Sequence, residues 1–265
     1  DEFDPQLVVP VYATGAGAAS RMKANGYQFR SIVAMTDSFA HRMWVHEGTD
    51  LFLVTSHAAG ESVRRYWPEA KVEVITAPVR PAFYVAPTKR EARQKLGMDE
   101  DGRCALLMSG AWGLGPLDGA AEALASRGIW VLAVAGSNEG LERRLQKLAD
   151  KDPMVIPFGY TEEVPTLMSA CDVVVTSSGD TCREARTLGR GIVLLDVVPG
   201  HGRENLMHEL ELGGATACMA TPDSIARAVE SFVSDPVRSR VPPTREAHLA
   251  PAQFVAAVQG LGLEI

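Results

Sequence analysis

The chain has 265 residues, of which 46% are hydrophobic and 22% are charged, and its formal net charge is −7 at pH 7. This length suits one large or two small domains with a sizeable core. The negative charge argues against a general nucleic-acid-binding protein, and there is no apolar run of about 18 residues that would predict a transmembrane helix. The four cysteines form no CxxC pair, so we expect reduced, buried thiols and a cytoplasmic protein.

The N-terminal region predicts a strand over residues 7–12, a turn containing Gly15 and Gly17, a helix, and a second strand over residues 31–35 that is followed by Asp37. A strand, a G-x-G-x-x-S turn, a helix and an acidic residue about twenty positions further on are close to the dinucleotide-binding pattern. The third glycine of that pattern is a serine here. The segment therefore leaves open a nicotinamide-dependent oxidoreductase, with tight packing of a helix as the alternative.

Asp37 and His41 follow the end of this second strand. Groups spaced in this way can share a face and orient one another, as a general base and its partner do. A polar surface loop is the structural alternative, and His41 with His46 is a weak candidate for a metal site. Further on, the acidic residues 99–101 form a D-x-D sequence before Gly102, which is more typical of a solvated turn than of a metal site.

The proline-rich residues 78–87 are predicted to join two domains. The expected divisions are a first domain over residues 1–81, a linker over residues 82–103, a second domain over residues 104–248 and a C-terminal helix over residues 249–265.

The second half of the chain alternates short Val/Ile/Leu runs with helical segments, which is the pattern of βαβ units around a parallel sheet. Predicted strands cover residues 105–109, 130–135, 155–158, 172–176, 192–197 and 215–219. Ligands of open α/β sheets bind outside the carboxyl ends of the strands. We therefore expect residues 158–160, 177–181 and 199–205 to line one crevice.

Two loops of this half suit a phosphorylated ligand. Residues 110–116 are rich in glycine and can present backbone amides to a diphosphate. Residues 177–181, SSGDT, open a predicted helix whose N-terminus offers unpaired N–H groups. Glu184 follows about one turn later, where a carboxylate can accept hydrogen bonds from two ribose hydroxyls. The alternative is that a serine only begins the helix and Glu184 is solvated.

Residues 177–185, SSGDTCREA, resemble the Ser-Gly-Gly-x-Thr-x-x-Glu-Ala signature of GT-B glycosyltransferases. Residues 199–205, PGHGREN, resemble their Pro-Gly-Gln-x-x-x-Asn loop, with His201 in place of the usual glutamine, which leaves the donor sugar open. Residues 36–44, TDSFAHRMW, resemble the Thr-Asp-x-x-x-His-x-x-Trp stretch of the acceptor domain, and residues 78–80 resemble the Pro-Val-Arg linker. The nearest types are monogalactosyldiacylglycerol synthase, processive diacylglycerol glucosyltransferase and the peptidoglycan lipid-intermediate N-acetylglucosaminyltransferase.

The resemblance implies an α/β protein of GT-B fold with two Rossmann-like parallel-sheet domains. The family normally begins with a glycine-rich turn that carries a catalytic histidine, and no histidine precedes His41. We therefore expect an incomplete N-terminal domain, in a chain that is a fragment or has lost part of its acceptor domain. Because an incomplete sheet exposes an edge, we expect this domain to be mobile or oligomeric.

The resemblance also implies an inverting, metal-independent hexosyltransferase that uses a UDP-sugar and needs no cofactor. The expected acceptor is the hydroxyl of a lipid or cell-envelope precursor, with peripheral association at the inner face of the membrane and a homo-oligomer as further expectations. No basic amphipathic helix indicates membrane docking independently. The implied catalytic residues are Asp37 and His41. The implied nucleotide-sugar-binding residues are Ser109, Gly110, Gly113, Phe158, Gly159, Tyr160, Ser178, Gly179, Asp180, Thr181, Glu184, His201 and Asn205.

Among these residues, the resemblance assigns Glu184 to the ribose, residues 158–160 to the uracil, and His201 with Asn205 to the sugar. Three alternatives stay open. An oxidoreductase built on Gly15, Gly17 and Asp37 leaves the pattern over residues 177–205 unexplained. A sugar-nucleotide 2-epimerase shares the fold, but its extra catalytic acids are not evident. A non-catalytic UDP-sugar-binding domain would follow from an incomplete N-terminal half.

Overall fold

A computed structural model of the protein describes residues 4–110, 112–235, 243 and 246–264. The chain divides into two compact units. The first comprises residues 1–78 and 246–265, and the second comprises residues 79–245. No helix in these described ranges is long and apolar enough to cross a membrane. The functional domain boundaries predicted above stay predictions.

The first unit contains a four-stranded parallel sheet in the order β1-β2-β3-β4. Its strands are β1 (Leu7–Val8), β2 (Arg30–Ala34), β3 (Leu51–Val54) and β4 (Val72–Val74), and its α-helices are α1 (Ala13–Ala24), α2 (His57–Tyr66) and α10 (Ala250–Gly260). Two short 3₁₀ segments, Arg42–Trp44 and Glu246–Leu249, complete it. Every residue of β3 is buried because α10 covers one face of the sheet while Trp44 and the α1 and α2 side chains cover the other.

The glycine turn predicted at Gly15 and Gly17 is wrong, because both residues lie inside α1. The preceding strand ends at Val8, four residues before the predicted end, and neither glycine has a positive φ. Gly17 instead allows close packing, since a β-carbon there would lie 3.4 Å from Nε2 of His46. A helix that begins before the glycines offers no glycine turn for a pyrophosphate, which removes the basis for the oxidoreductase interpretation.

The second unit contains a six-stranded parallel sheet in the order β10-β9-β8-β5-β6-β7. Its strands are β5 (Cys104–Met108), β6 (Trp130–Val134), β7 (Val155–Phe158), β8 (Val173–Thr176), β9 (Gly191–Leu195) and β10 (Ala215–Cys218). Its α-helices are α3 (Lys89–Lys95), α4 (Leu117–Ala125), α5 (Glu139–Ala149), α6 (Val164–Ala170), α7 (Asp180–Thr187), α8 (His201–Glu211) and α9 (Pro222–Val233), and a 3₁₀ segment spans Pro81–Phe83. The strand order reverses between β5 and β8, which makes this pair the switch point of the sheet.

The core of the second unit lies on both faces of this sheet. Along β5, Leu107 packs with α4 and α9 side chains on one face, whereas Leu106 packs with α6 and α7 side chains on the other. This alternation explains why continuous apolar runs in the sequence correctly predicted the strands. Their observed ends differ from the predicted ones by at most two residues, and β7 matches its prediction at both ends.

The sequence of residues 199–212 predicts a loop over residues 199–203 and a helix that begins at residue 204. This start is wrong, because the helix, α8, begins at His201. Gly200 has φ of +69° and precedes the first helical residue, so the chain reverses before the helix rather than through a longer loop. A β-carbon on Gly202 would lie 2.5 Å from Cβ of Val198, so the return of the chain also requires glycine at that position. His201 therefore belongs to the first turn of a helix.

Candidate functional site

The candidate site lies at the carboxyl edge of the second unit's sheet, where β5 and β8 run side by side. Leu107 pairs with Val175 in the register of the two strands, so Ser109 and Ser177 leave the sheet at the same level. The loops that follow these strands are the glycine-rich loop and the SSGDT segment. The structure thus brings together two segments that are about 70 residues apart in sequence, at the edge where open α/β sheets bind ligands.

The glycine-rich loop turns tightly above the end of β5. The carbonyl of Ser109 accepts a hydrogen bond from the N–H of Leu114 at 3.0 Å. Gly110 and Gly113 have φ of +65° and +56°, and a β-carbon on Gly113 would lie 2.7 Å from Cδ2 of Leu141. The side chain of Ser109 is completely buried and its hydroxyl has no partner among the described residues. Ser109 therefore lies beneath the loop rather than on its surface.

Asn138 fixes this loop to the next helix. Its Oδ1 accepts the N–H of Leu141 at 2.9 Å and so caps α5, and its Nδ2 donates to the carbonyl of Trp112 at 3.0 Å. The side chain of Asn138 therefore caps the N-terminus of α5 and also holds the backbone of the glycine-rich loop. The indole of Trp112 is 71% exposed, so the loop presents a large aromatic group to solvent.

The SSGDT segment is tied to the beginning of α8. The hydroxyl of Ser178 donates to the carbonyl of Gly202 at 2.6 Å, and Gly179 is the residue before α7, whose first turn contains Asp180 and Thr181. A β-carbon built on Gly110, Gly179 or Gly200 would meet no atom within 4 Å. Backbone from three loops therefore borders open space at one edge of the sheet, as a site for a phosphorylated ligand requires.

Glu184 is buried in α7, with only 7% of its surface exposed. Its Oε1 accepts a hydrogen bond from Nε of Arg80 at 2.8 Å. Burial raises the pKa of Glu184; the neighbouring Arg80 opposes this rise and Asp180 adds to it. The alternative that Glu184 is a solvated helical residue is therefore wrong. The carboxylate is instead a desolvated acceptor that is paired with a cation.

His201 and Asn205 are four residues apart on α8 and so lie on the same face of the helix. Phe158 is the last residue of β7, and its carbonyl is already used by the N–H of Ala135 at 2.8 Å. Gly159 allows the carboxylate of Glu142 to approach, since a β-carbon there would lie 2.7 Å from Oε1 of Glu142. Tyr160 is 78% exposed, so the side chain at the end of this segment is open to solvent.

The first unit has its own polar cluster after β2. Nε1 of Trp44 donates to Oδ2 of Asp37 at 2.8 Å, and Nε2 of His41 lies 3.9 Å from the same oxygen. The two residues predicted to orient one another are therefore neighbours. His46 is separate, since its Nε2 lies 3.0 Å from the carbonyl of Met43. Within the described ranges, no group of three His, Cys, Asp or Glu side chains is arranged to hold a metal ion.

A cavity of about 490 Å³ lies at the edge of the second sheet opposite the candidate site. The polar side chains that line this cavity form ion pairs and hydrogen bonds within the protein. The carboxylate of Asp172 pairs with Lys89, with Nη2 of Arg93 at 3.1 Å and with the N–H of Cys104 at 2.8 Å. In the acidic turn nearby, Oδ1 of Asp99 accepts the N–H of Asp101 at 3.1 Å. This edge therefore has the character of a structural ion-pair cluster.

Two residues of the site were missed in the sequence. Arg80 was assigned only to the linker, although it is the single charged residue between Ala77 and Phe83, and a lone cation in an apolar joint is a signal for a buried partner. Asn138 lies immediately before the amphipathic helix α5, where asparagine is a common N-cap.

No family model matches the chain. The chain is 28% identical over 248 residues to a probable chloroplastic monogalactosyldiacylglycerol synthase of Glycine max, covering 87% of this chain and 46% of that protein. It is 29% identical over 236 residues to a processive diacylglycerol β-glucosyltransferase of Bacillus pumilus, covering 87% and 59% respectively. The chain thus spans about half the length of these relatives.

Solved structures match over nearly the whole chain. MurG of Acinetobacter baumannii superimposes with a TM-score of 0.63 at 15% identity, covering 98% of this chain and 74% of that one. The chain has the GT-B fold. A UDP-GlcNAc 2-epimerase of Neisseria meningitidis, solved with UDP-GlcNAc, gives a TM-score of 0.73 at 15% identity, with coverages of 99% and 77%.

The GT-B fold confirms the predicted architecture of two Rossmann-like parallel sheets. The sequence relatives confirm the resemblance on which that prediction rested. In the second unit, the SSGDT segment and the PGHGREN loop both lie at the switch-point edge of the sheet. The names of the sequence relatives favour glycosyl transfer over the oxidoreductase alternative.

Proposed function

We propose that this GT-B chain is an inverting, metal-independent hexosyltransferase that uses a UDP-sugar and glycosylates a hydroxyl group of a lipid or cell-envelope precursor. The observation that carries the proposal is the buried Glu184 carboxylate at the switch-point edge, beside three glycines whose α-carbons face open space. A carboxylate in this position suits two ribose hydroxyls, and open backbone suits a diphosphate. The names of the relatives support sugar transfer to diacylglycerol lipids.

The leaving group of this reaction carries the charge of a nucleoside diphosphate, which the chain must stabilise. The N-terminus of α7 and the glycine-rich loop supply amide donors. An exposed helix N-terminus contributes about 0.3–1 kcal/mol, and a hydrogen bond to a charged group contributes about 1.5–3 kcal/mol. Several donors are therefore needed, and the proposal assigns them to Gly110, Gly113, Ser178, Gly179 and Thr181.

The chemical step requires a base for the acceptor hydroxyl. The hydroxyl oxygen forms a bond to the anomeric carbon, the bond from that carbon to the UDP oxygen breaks, and the configuration inverts. We assign the hydroxyl proton to the carboxylate of Asp37, which is held by Trp44 and adjoins His41. His201 and Asn205 are assigned to the hexose, and residues 158–160 to the uracil.

A lipid acceptor is supported by the surface of the first unit. Val11, Tyr12 and Met43 are among its exposed large apolar residues, and the Tyr12 ring packs edge-on against Trp44 at a centroid distance of 6.2 Å. These side chains adjoin the cluster that contains Asp37. Peripheral association with the cytoplasmic face of a membrane is part of this proposal, and the oligomeric state stays a prediction.

A transfer assay tests the proposal. The purified chain is incubated with radiolabelled UDP-glucose, UDP-galactose or UDP-N-acetylglucosamine and with diacylglycerol in mixed micelles, and lipids and nucleotides are separated by chromatography. A labelled glycolipid is the expected product. Isomerised UDP-sugar formed without acceptor would favour the second candidate, a 2-epimerase, which the epimerase superposition brings into consideration. Donor binding with neither product would indicate a non-catalytic binding domain.

A further inference from the structure

One hydrogen bond joins the Glu184 carboxylate of the proposed donor site to Arg80, which lies in the proline-rich segment between the two predicted domains. Arg80, two residues after Pro78, donates from Nε to Oε1 of Glu184 across 2.8 Å and 104 sequence positions. Its guanidinium also lies 5.1 Å from the centroid of the Phe83 ring. Phe83 is buried in the core of the second unit, so a fixed aromatic face supports the arginine.

Glu184 needs this partner because it is buried beside a group of like charge. A desolvated carboxylate without a hydrogen-bonded cation tends to take up a proton. The charged groups that act on it are Arg80, which favours the ionised form, and Asp180 on the same helix, which disfavours it. Asp180 is itself paired with Nη1 of Arg183 at 3.1 Å. Among residues 4–110 and 112–235, Arg80 is the one side chain that hydrogen-bonds Glu184.

The hydrogen bond from Arg80 occupies only one of the two carboxylate oxygens of Glu184. Arg80 binds Oε1, and Oε2 of Glu184 makes no hydrogen bond to any described residue. A ribose offers two adjacent hydroxyls, each of which donates one hydrogen bond. An ionised carboxylate with one oxygen held and the other available is oriented for that pair, whereas a protonated carboxyl group has one acceptor fewer.

We propose that Arg80 is a positioning residue of the donor site, which acts through Glu184 by holding that carboxylate ionised and oriented for the ribose hydroxyls. The inference rests on the proposed function, since it concerns the same site. It extends the site to a residue outside the signature segments. It also predicts that uridine nucleotide affinity depends on the charge of residue 80 without any direct contact between Arg80 and the phosphates.

The test is calorimetric titration of the full chain with UMP and UDP at several values between about pH 5.5 and pH 8. The variants are Arg80→Gln, Arg80→Lys, Glu184→Gln and the double variant Arg80→Gln/Glu184→Gln. The matched control is Arg90→Gln, which removes an exposed ion pair of similar geometry, 3.0 Å from Nε to Oε2 of Glu100. Affinity ratios to the unmodified chain at the same pH remove the titration of the nucleotide itself.

The expected result is that Arg80→Gln weakens UMP and UDP binding by the same factor, about tenfold near the acid end. The factor falls as pH rises, because the carboxyl group that has lost its cation regains its charge. Arg80→Lys restores part of the affinity, the control binds normally, and Arg80→Gln has no further effect in the Glu184→Gln background.

Four results would overturn the inference. They are an unchanged affinity in Arg80→Gln, an equal loss at every pH, a further loss in the double variant, and a loss for UDP that exceeds the loss for UMP, which would indicate direct phosphate contact. Absence of the uridine-nucleotide site itself looks different, because the unmodified chain would then bind neither nucleotide. A failure of sugar transfer alone would leave nucleotide binding intact and would appear only in the transfer assay.

Discussion

The indole N–H of Trp44 donates a hydrogen bond to Oδ2 of Asp37 at 2.8 Å, and the same oxygen lies 3.9 Å from Nε2 of His41. Trp44 is buried, whereas the side chain of Asp37 is 20% exposed. The carboxylate is therefore anchored from the core side while part of it still reaches solvent. A general base needs both properties, a fixed position and access to substrate.

Replacing Trp44 with phenylalanine removes this anchor but keeps an aromatic ring. The loss of one hydrogen bond to a carboxylate should lower the free energy of unfolding by about 1–3 kcal/mol. If Asp37 is the base, kcat of sugar transfer should fall while the Kd of UDP stays unchanged. Urea denaturation and calorimetry measure the two effects.

The matched control for this prediction is Trp67→Phe. Trp67 packs against the same core cluster, and its indole makes no hydrogen bond among the described residues. Equal losses of kcat in Trp44→Phe and Trp67→Phe would show that general destabilisation, and not the anchor of Asp37, is responsible.

Asn138→Ala should remove both contacts of that side chain, and comparison with a variant that loses only a helix cap separates their effects. Loss of the α5 cap should cost about 1 kcal/mol of stability. Loss of the bond to the Trp112 carbonyl should also loosen the glycine-rich loop and weaken UDP binding. Ser56→Ala removes an equivalent cap, in which Ser56 accepts the N–H of Ala59 at 3.0 Å, and should lower stability alone. UDP affinity that is unchanged in Asn138→Ala would contradict the role of the loop.

Glu184→Gln should strongly weaken UDP binding and yet gain stability relative to the unmodified chain as pH rises. Burial raises the pKa of Glu184 above its ordinary value of 4.5 despite Arg80. The stability that the protonated group contributes is complete below the unfolded pKa and is lost as pH rises through the folded pKa. Thermal melts from acid to neutral pH measure the difference, and an advantage that shrinks with rising pH would contradict the assignment.

Asp50→Asn should show the opposite slope. Burial works to raise the pKa of Asp50, but hydrogen bonds from Lys23, the N–H of Ser31 and Arg30 outweigh it and lower the pKa below its ordinary value of 3.8. Its contribution is present above that value and is lost as pH falls through the folded pKa. The variant should therefore be less stable at neutral pH and approach the unmodified chain in acid. A deficit that persists unchanged at low pH would be the contrary result.

Asp172→Ala should destabilise strongly without affecting the donor site. It leaves Arg93, which is 1% exposed, without its carboxylate partner. Removing one member of a buried pair costs about 3–5 kcal/mol. Asp223→Ala breaks the exposed pair with Arg127 at 2.8 Å and should cost less than about 1 kcal/mol. Both variants should bind UDP with unchanged affinity while they remain folded, and a selective loss in Asp172→Ala would indicate a second role for the cluster.

The four central strands of the second unit, β5, β6, β8 and β9, were predictable because they are buried on both faces and read as uninterrupted apolar runs. β9, for example, is buried along its whole length. The crevice at Ser177 followed from strand ends alone. The beginning of α8 was not predictable in the same way, because a positive φ at Gly200 is compatible with a loop or with an abrupt helix start.

The Arg80–Glu184 contact could not be derived from local pattern. Periodicity and turn chemistry report on neighbours within a few positions, whereas this pair is joined only when α7 packs beside the joint segment. The same limit explains Gly15 and Gly17. A strand, two glycines and a helix fit a dinucleotide turn in sequence, and only the close approach of His46 to α1 reveals a packing role.

The most direct test of the central claim is calorimetric titration of the purified chain with UDP and, separately, with NADH. We expect micromolar binding of UDP to one site, strong weakening of that binding in Glu184→Gln, and no binding of NADH. Binding of NADH without UDP, or UDP affinity that is unaffected by the loss of the Glu184 carboxylate, would contradict a donor site at the switch point of the second sheet.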